Sequence, residues 1–417
     1  HIGWNALVSL PLSQMIRTPS ARALVAAALL AASTLSVSGS AAAQSVLDPV
    51  TLTFLELPTA PALNALGGTG VAEAFGDPHG FLYNPAHLGS FDDEVALALY
   101  PSAVDWLGLG LDAVSHAAAG GLSLRRLGLP ATLGVGVAHT SLDFGPLPVT
   151  ETLTFAPRDG YTALGLGLGL DLPVRVQLGT TVRFVSSEEA VGADADGNVL
   201  VREVRGTTLD VGARLEAPVL ALLGVAQQAD FRPSFDLALG YTQAHISTEA
   251  GGLPLPRMAR LGYAATFALD HRVRDDAYLR FLDATVSIQA EHQLTRIGAD
   301  GAVSYELVLG DLNVLENVLL SQGSAITTAR RGLRLAFFET FGLHYGFFDG
   351  FGYDARRTSG FEVRLAGALR VYALSTDHER LAALAERFDV RFSTATYFAG
   401  TRSESQFAGF TLHARLP

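Results

Sequence analysis

The chain has 417 residues, a formal charge of −12 and no cysteine. That charge argues against nucleic-acid binding, which needs basic patches, and the missing cysteine removes thiol nucleophiles, thiolate metal sites and redox pairs. Hydrophobic residues make up 49% and charged residues 17%, against about 25% charged in an ordinary soluble protein, yet after residue 45 no apolar run approaches the ~20 residues of a spanning helix.

A chain that is apolar overall but never continuously so fits a membrane β-barrel, in which lipid-facing residues alternate with lumen-facing ones. A large soluble β-sandwich with a thick core is the competing reading. At the N-terminus, residues 1–14 read as upstream over-translation, with Met15 as the start. Residues 15–43 read as a signal peptide: Arg17 and Arg22 are its basic region, Ala23 to Ala32 its apolar stretch, and Ala41-Ala42-Ala43 its small-x-small cleavage site. The mature chain is then expected from Gln44, exported to the outer membrane of a Gram-negative-type bacterium. A retained membrane anchor is the alternative. A lipoprotein anchor is excluded, because no cysteine follows the apolar stretch.

Residues 44–92 do not alternate. They carry Pro, Gly and two short helix-like pieces. Irregular backbone cannot face lipid, so the segment is expected to be a hatch or plug inside the lumen or on its periplasmic face. Residues 93–417 are expected to form the barrel. Leu164, Leu166, Leu168 and Leu170 alternate with Gly165, Gly167 and Gly169, and Val174, Val176, Leu178, Val182 and Phe184 alternate with Arg175, Gln177, Gly179, Thr181 and Arg183. One strand face is uniformly apolar and the other tiny or polar. The last strand repeats this, with Phe410, Leu412, Ala414 and Leu416 against Thr411, His413 and Arg415. The count is about fourteen antiparallel strands.

Asp-Gly at 159–160, 196–197, 300–301 and 349–350 marks expected hairpin turns, and Asp171-Leu172-Pro173 a short connection. Residues 141–160 and 186–203 read as long loops of one barrel end. Residues 312–326 and 376–387 read as short helices, the second capped by Thr376 with Glu379 in a capping box. Phe361 to Ala366 reads as strand. Arg330, Arg331, Arg334, Arg356 and Arg357 read first as a solvated basic rim, with lumen lining or contact with lipopolysaccharide phosphates as alternatives. Phe337, Phe338, Phe341, Tyr345, Phe347, Phe348 and Tyr353 read as including interfacial girdle residues, a few of them alternatively lining a hydrophobic-ligand pocket.

Motifs of chemistry are weak. Asp194-Ala-Asp196-Gly-Asn198 resembles part of a calcium loop but lacks the bidentate Glu, and reads as a polar turn. No His pair has H-E-x-x-H spacing, and Gly-x-Ser-x-Gly is absent. Gly68-x-Gly70 has Glu73 where a dinucleotide fingerprint needs its third Gly. No catalytic, cofactor-binding or metal residue is therefore assigned, no cofactor is expected, and a hydrolase is disfavoured.

The informative stretch is residues 52–91. Gly67, Gly68 and Gly70 permit positive φ or close approach; Pro85 restricts Asn84 to extended geometry, and Asn84 can fix a turn. With Ala86 these six form a hatch motif, structural or gating. Phe54-Leu55 with Leu57-Pro58, then Ala65-Leu66-Gly67-Gly68, then Asn84-Pro85-Ala86 with Leu88, resemble the N-terminal signature of the PorV/PorQ-type proteins, within the FadL superfamily of outer-membrane transport proteins. Pro256-Arg257 with Leu261-Gly262-Tyr263, and Arg331-Gly332 with Glu339, Gly346 and Ser359-Gly360-Phe361, extend the likeness. Ala62-Leu63-Asn64 and His87 depart from the family pattern. The resemblance implies a fourteen-stranded barrel with an N-terminal hatch. It also implies a non-enzymatic role of PorV/PorQ type, binding protein partners or cargo of type IX secretion at the surface. The alternative is a FadL-like channel for hydrophobic small molecules such as fatty acids, and a third reading is a structural barrel. Expected partners are outer-membrane lipid, with type IX secretion proteins or cargo, or a hydrophobic small-molecule ligand or detergent, and no nucleic acid.

Overall fold

The computed structural model describes residues 52–57, 59–106, 109–148, 154–193, 199–225, 230–247, 249–250, 253–274, 277–297, 302–350, 353–376, 378–397 and 405–416. The proposed signal segment and the Asp194 to Asn198 turn lie outside the described residues.

Fourteen antiparallel strands close into a barrel. We number them β1 (Glu94–Trp106), β2 (Leu109–Ser123), β3 (Ala131–Asp143), β4 (Arg158–Leu170), β5 (Arg175–Ala193), β6 (Val199–Pro218) and β7 (Phe231–Ile246). They continue as β8 (Met258–Arg274), β9 (Ala277–Gln293), β10 (Thr327–Phe337), β11 (Phe341–Gly350), β12 (Tyr353–Arg364), β13 (Phe388–Tyr397) and β14 (Ser405–Arg415). Each strand pairs with the next, and β14 returns to β1 through Glu94↔Arg415 and its neighbours. Closure leaves no sheet edge, which a lipid-facing sheet requires.

The even strand number puts the start of β1 and the end of β14 at one end of the barrel, here called the terminal end; the other is the distal end. Burial alternates along β3 from Thr132 to Asp143. Leu133, Val135 and Val137 are exposed, Val135 at 58%, as are Leu164, Leu166, Leu178, Leu239, Phe361 and Phe410 on other strands. An apolar belt of this extent on the outside is the signature of a barrel solvated by lipid, and a soluble β-sandwich would have buried it.

The inner face explains the glycines. The hatch fills the lumen, as a 3-10 turn at Thr53–Glu56, α1 at Pro61–Ala65, and 3-10 turns at Gly80–Leu82 and Pro85–Ser90. Its Leu63, Phe81, Leu82 and Leu88 are buried against wall residues such as Leu142, Tyr161 and Phe348. At several places where hatch backbone comes closest to wall backbone, the wall residue is glycine. A Cβ at Gly134 would collide with the Leu88 carbonyl oxygen, one at Gly169 with that of Gly89, one at Gly179 with that of Pro85, and one at Gly240 with that of Val71. Glycine inside a strand weakens it and marks close backbone approach; here the approaching backbone is the hatch.

Several local expectations are corrected. Asp159-Gly160 lies inside β4 and makes no turn: Gly160 faces Ser141 in the ladder. Asp349-Gly350 does end a strand, with Gly350 paired to Tyr353. Residues 186–203 are largely strand, because the β5–β6 ladder continues to Ala193↔Val199 and projects a two-stranded arm. Residues 141–160 hold a small pair, Leu147↔Phe155, between β3 and β4. The strand expected through Ala366 ends at Arg364, where α3 (Leu365–Thr376) begins; α2 is the short turn Val219–Leu222. Thr376 therefore closes a helix, its hydroxyl donating to the Tyr372 carbonyl, and α4 (Glu379–Arg387) starts from His378 with no side-chain cap. Within 312–326 the helix is one π-type turn, Val314–Leu319, capped by Asn313.

Candidate functional site: the hatch and the cavity above it

Arginines of the wall hold the hatch by its carbonyls. Arg183 on β5 donates to the Leu82 carbonyl at 2.8 Å, Arg330 on β10 to that of Gly67 at 3.0 Å, and Arg391 on β13 to that of Phe75 at 2.7 Å. Arg214 on β6 donates to the Ala72 carbonyl. Each guanidinium is also ion-paired: Arg183 with Asp210 at 2.6 Å, Arg214 with Glu73 at 2.8 Å and Glu216 at 2.6 Å, Arg330 with Glu291 at 3.0 Å, and Arg391 with Asp389 at 2.8 Å. A planar five-donor fork can serve a carboxylate and a carbonyl together, which an ammonium group does less well. Arg330 and Arg334 are therefore buried lumen groups, Arg334 reaching Asp283 and Glu362; the solvated rim is incorrect for them and lumen lining is what the structure has. Phe348, expected in a girdle, is fully buried against Tyr397 and Arg330, while Phe338, Phe341 and Tyr345 are exposed.

The six hatch-motif residues occupy the same contact zone. Gly67 has φ 73° and packs on Arg331 and Phe347 backbone; its N–H donates to Thr358 Oγ1 at 2.9 Å. Gly68 has φ 78° and abuts the Arg330 guanidinium. The N–H groups of Gly70 and Val71 share Gln289 Oε1, at 3.1 and 3.0 Å. Asn84, extended at φ −149°, accepts from the Ala86 N–H at 3.0 Å and so caps the Pro85–Ser90 turn. Its amide donates to the Val71 carbonyl at 2.7 Å and to the Ala213 carbonyl of β6 at 3.1 Å. The Pro85 carbonyl lies on Gly179. The Asn84→Ala protein is expected to lose about 2–3 kcal/mol of stability, since one cap and two buried carbonyl partners go together; unfolding in detergent by urea measures this, and an unchanged midpoint refutes it.

Above the hatch, towards the distal end, lies a small cavity of about 40 Å³ between hatch and wall. Leu55, Leu57, Leu82, Tyr83 and Tyr161 give it apolar surface; Arg183, Arg260, Arg330, Glu56 and Glu291 give it charge. Arg260 pairs with Glu291 at 2.6 Å. Burial, helped by the nearby Glu291 charge, pushes Glu56 up to about 7, against the pull of Arg260 and Arg330. Burial likewise pushes Asp77 up to about 6, opposed by the Tyr100 hydroxyl and the His79 N–H, and pushes His79 down to about 3. His87 is lowered to about 4 by burial and Arg214, and its Nε2–H donates to the Gly70 carbonyl at 2.8 Å.

Two carboxyls with raised pKa values favour the hatched state when protonated. Their stabilising share is full below about 4 and is lost as pH rises through about 6 to 7. The hatch amides are expected to exchange hydrogen faster at pH 8 than at pH 6 after correction for intrinsic rates. Glu56→Gln should remove much of that difference, and equal corrected rates in the parent protein would count against it.

Among the described residues, His292, Glu306 and Asp311 place three metal-capable atoms within 4.8 Å of one another. The Arg296 guanidinium already bridges Glu306 at 2.5 Å and Asp311 at 2.6 Å, so a cation is present in the form of a side chain. Sequence reading missed the hatch-clasping arginines and the cavity. Period-two alternation places Arg183, Arg214 and Arg330 inward but cannot show that carbonyls await them.

No family model matches the chain, and no curated protein matches it. Among solved structures, the toluene transporter TbuX of Ralstonia pickettii is similar at 11% identity, covering 86% of this chain and 98% of that one, with a TM-score of 0.42. The toluene transporter TodX of Pseudomonas putida is similar at 10% identity, covering 86% and 98%, with a TM-score of 0.43. A FadL homologue of Pseudomonas aeruginosa is similar at 9% identity, covering 86% and 98%, with a TM-score of 0.37.

Proposed function

We propose that the protein is a hatch-closed outer-membrane channel, non-enzymatic, for small hydrophobic molecules that carry a polar, carboxylate-like head. The observation that carries this reading is the cavity above the hatch, whose lining combines leucines and tyrosines with Arg183, Arg260 and Arg330. With the hatch seated it has room for a few waters only, about 40 Å³, so a ligand reaches this lining as the hatch shifts. A hydrophobic ligand is the partner this lining suits. The terminal end then faces the periplasm, and the six motif residues act as hatch anchors.

A second feature supports transport. Transfer of a hydrophobe into the membrane needs a weak point in the wall. Pro101 has no N–H to donate, and the β1–β14 ladder passes from Leu99↔Phe410 directly to Ser102↔Phe407. A depression on the wall there is lined by Pro101, Ala103, Val114, Phe407 and Ala408, among others.

The PorV/PorQ-type reading, binding type IX secretion proteins or cargo, is favoured by one observation. The β5–β6 arm exposes Val191, Leu200 and Val201 beyond the belt, a surface a protein partner could cover. Native mass spectrometry of the protein, extracted from its own outer membrane in mild detergent, separates the two. A stoichiometric retained hydrophobe with no protein partner is expected. Co-purifying secreted proteins or another barrel, with no hydrophobe, would overturn the channel reading in favour of the export one.

A further inference from the structure

The connection between β9 and β10, residues 294–326, does not stand up from the distal rim. It folds back over the outside of the barrel. Ala290 and His292 point outward on β9, since Gln289 and Glu291 reach the lumen, yet both are almost wholly buried; Ala329, outward on β10, is fully buried too. The cover is the connection itself: Leu312 and Val318 pack on Ala290 with Leu261, Tyr263 and Leu309.

Polar contacts pin this flap to the outer wall. The Tyr241 hydroxyl on β7 donates to the Val308 carbonyl at 2.7 Å, and Arg331 on β10 donates through Nε to Ser321 Oγ at 2.9 Å. His292 Nε2 meets Glu306 at 2.8 Å, and Arg296 ties Glu306 to Asp311. The flap also satisfies itself. Asn313 Oδ1 accepts from the Leu315 and Glu316 N–H groups, and the Asn317 amide donates to the Gln322 carbonyl.

The flap turns leucine outward, beside the exposed Asp311 and Glu316. Leu307 is 85% exposed, and Leu315, Leu319 and Leu320 are each more than half exposed. A water-facing loop would gain nothing from this surface. Tyr241, under the flap, is two residues from Leu239, an exposed residue of the belt, so roughly 7 Å of strand separates them. The exposed leucines are thus continuous with the lipid-facing surface.

We infer that residues 307–320 form an in-plane membrane flap, with Leu315, Leu319 and Leu320 immersed in the acyl boundary of the distal leaflet while Asp311 and Glu316 reach the head-group side. Its partner is the lipid surface. Short amphipathic segments bind this way through buried apolar area. The inference rests on the barrel spanning a membrane, not on what the lumen carries.

The test uses nitroxide labels, for which a chain without cysteine is suited. Leu315→Cys and Leu319→Cys are made singly in the full protein, with Leu239→Cys as belt reference and Leu200→Cys as arm reference, and reconstituted in phospholipid vesicles. Power saturation reads access to oxygen, which partitions into lipid, and to a water-soluble nickel chelate. The flap labels are expected to show an oxygen-to-nickel ratio near that of Leu239→Cys and several-fold above that of Leu200→Cys. Flap labels open to nickel, beside a lipid-exposed Leu239→Cys, would overturn the flap inference alone. A nickel-accessible Leu239→Cys would overturn the membrane reading beneath it. Flap labels shielded from both reagents would mean that protein, such as a second copy, covers the leucines, and would also overturn it.

Discussion

Replacing Arg214 by alanine is expected to release the hatch. This guanidinium binds the Ala72 carbonyl, Glu73 of the hatch, Glu216 on its own strand, and Gln177 Oε1 at 2.9 Å. Burial pushes the Glu73 carboxyl up, but Arg214, His87 and two backbone N–H groups outweigh it and hold the group below its usual range. Removing the cation therefore strands two carboxylates together inside the lumen. Breaking one partner of a buried ion pair costs about 3–5 kcal/mol, and here a hatch carbonyl is orphaned as well. The outer face of β6 is untouched, so the barrel itself should still form. In planar bilayers the variant is expected to show open conductance steps where the parent is closed, and to melt at lower temperature. A variant as silent and as stable as the parent would show that the hatch is held by packing alone.

The second large effect concerns the glycine wall. In Gly134→Val the new Cβ would occupy the space of the Leu88 carbonyl oxygen. Overpacking a core usually costs about 1–3 kcal/mol. This case should exceed about 3 kcal/mol, because the obstacle is backbone of a turn that two neighbouring strands also contact, β4 through Gly167 and Gly169 and β5 through Gly179. The hatch should be displaced, and its 52–92 segment should become cleavable by added protease in detergent. Val135→Leu, on the exposed side of the same strand, should leave cleavage unchanged. A protected hatch in Gly134→Val would mean that the plug can shift within the lumen without leaving it.

Both predictions rest on a feature that was half visible in the sequence. The run from Leu164 to Leu170 shows which side faces lipid, because apolar side chains at period two have one solvent that suits them when so little polar surface remains. The same run shows that the other side is glycine, but not why. Glycine next to lumen water and glycine under a hatch read alike in one dimension, since the difference lies in residues some eighty positions upstream. Pro85 and Asn84 were legible as a fixed turn because proline acts on its immediate neighbour. Arg330 and Arg334 were misplaced at a rim because charge in a sequence is read as solvated unless a partner is adjacent, and their partners Glu291, Asp283 and Glu362 are on other strands. Thr376 was misread for a related reason. Threonine before an acidic residue is a capping signal, yet the preceding helix at 365–376 had been absorbed into a strand whose apolar alternation ran on to Leu365. The outward leucines of 307–320 had no signal of their own. They lie in a connection, where apolar residues contradict the usual polarity of loops, and that contradiction is the one clue the sequence offers to the flap.

The central claim is that the lining of the cavity above the hatch, opened as the hatch shifts, takes a hydrophobic molecule by an anionic head, and calorimetry can address it directly. The protein, in lipid nanodiscs at pH 6, is titrated with a medium-chain alkyl carboxylate and with the alcohol of the same chain length, each below its micelle concentration. Saturable binding at one site is expected, tighter for the carboxylate, and Arg260→Gln should weaken the carboxylate by about tenfold while hardly moving the alcohol, the loss of one charge-assisted hydrogen bond. Binding that does not saturate, or a carboxylate and an alcohol that bind alike with and without Arg260, would contradict it.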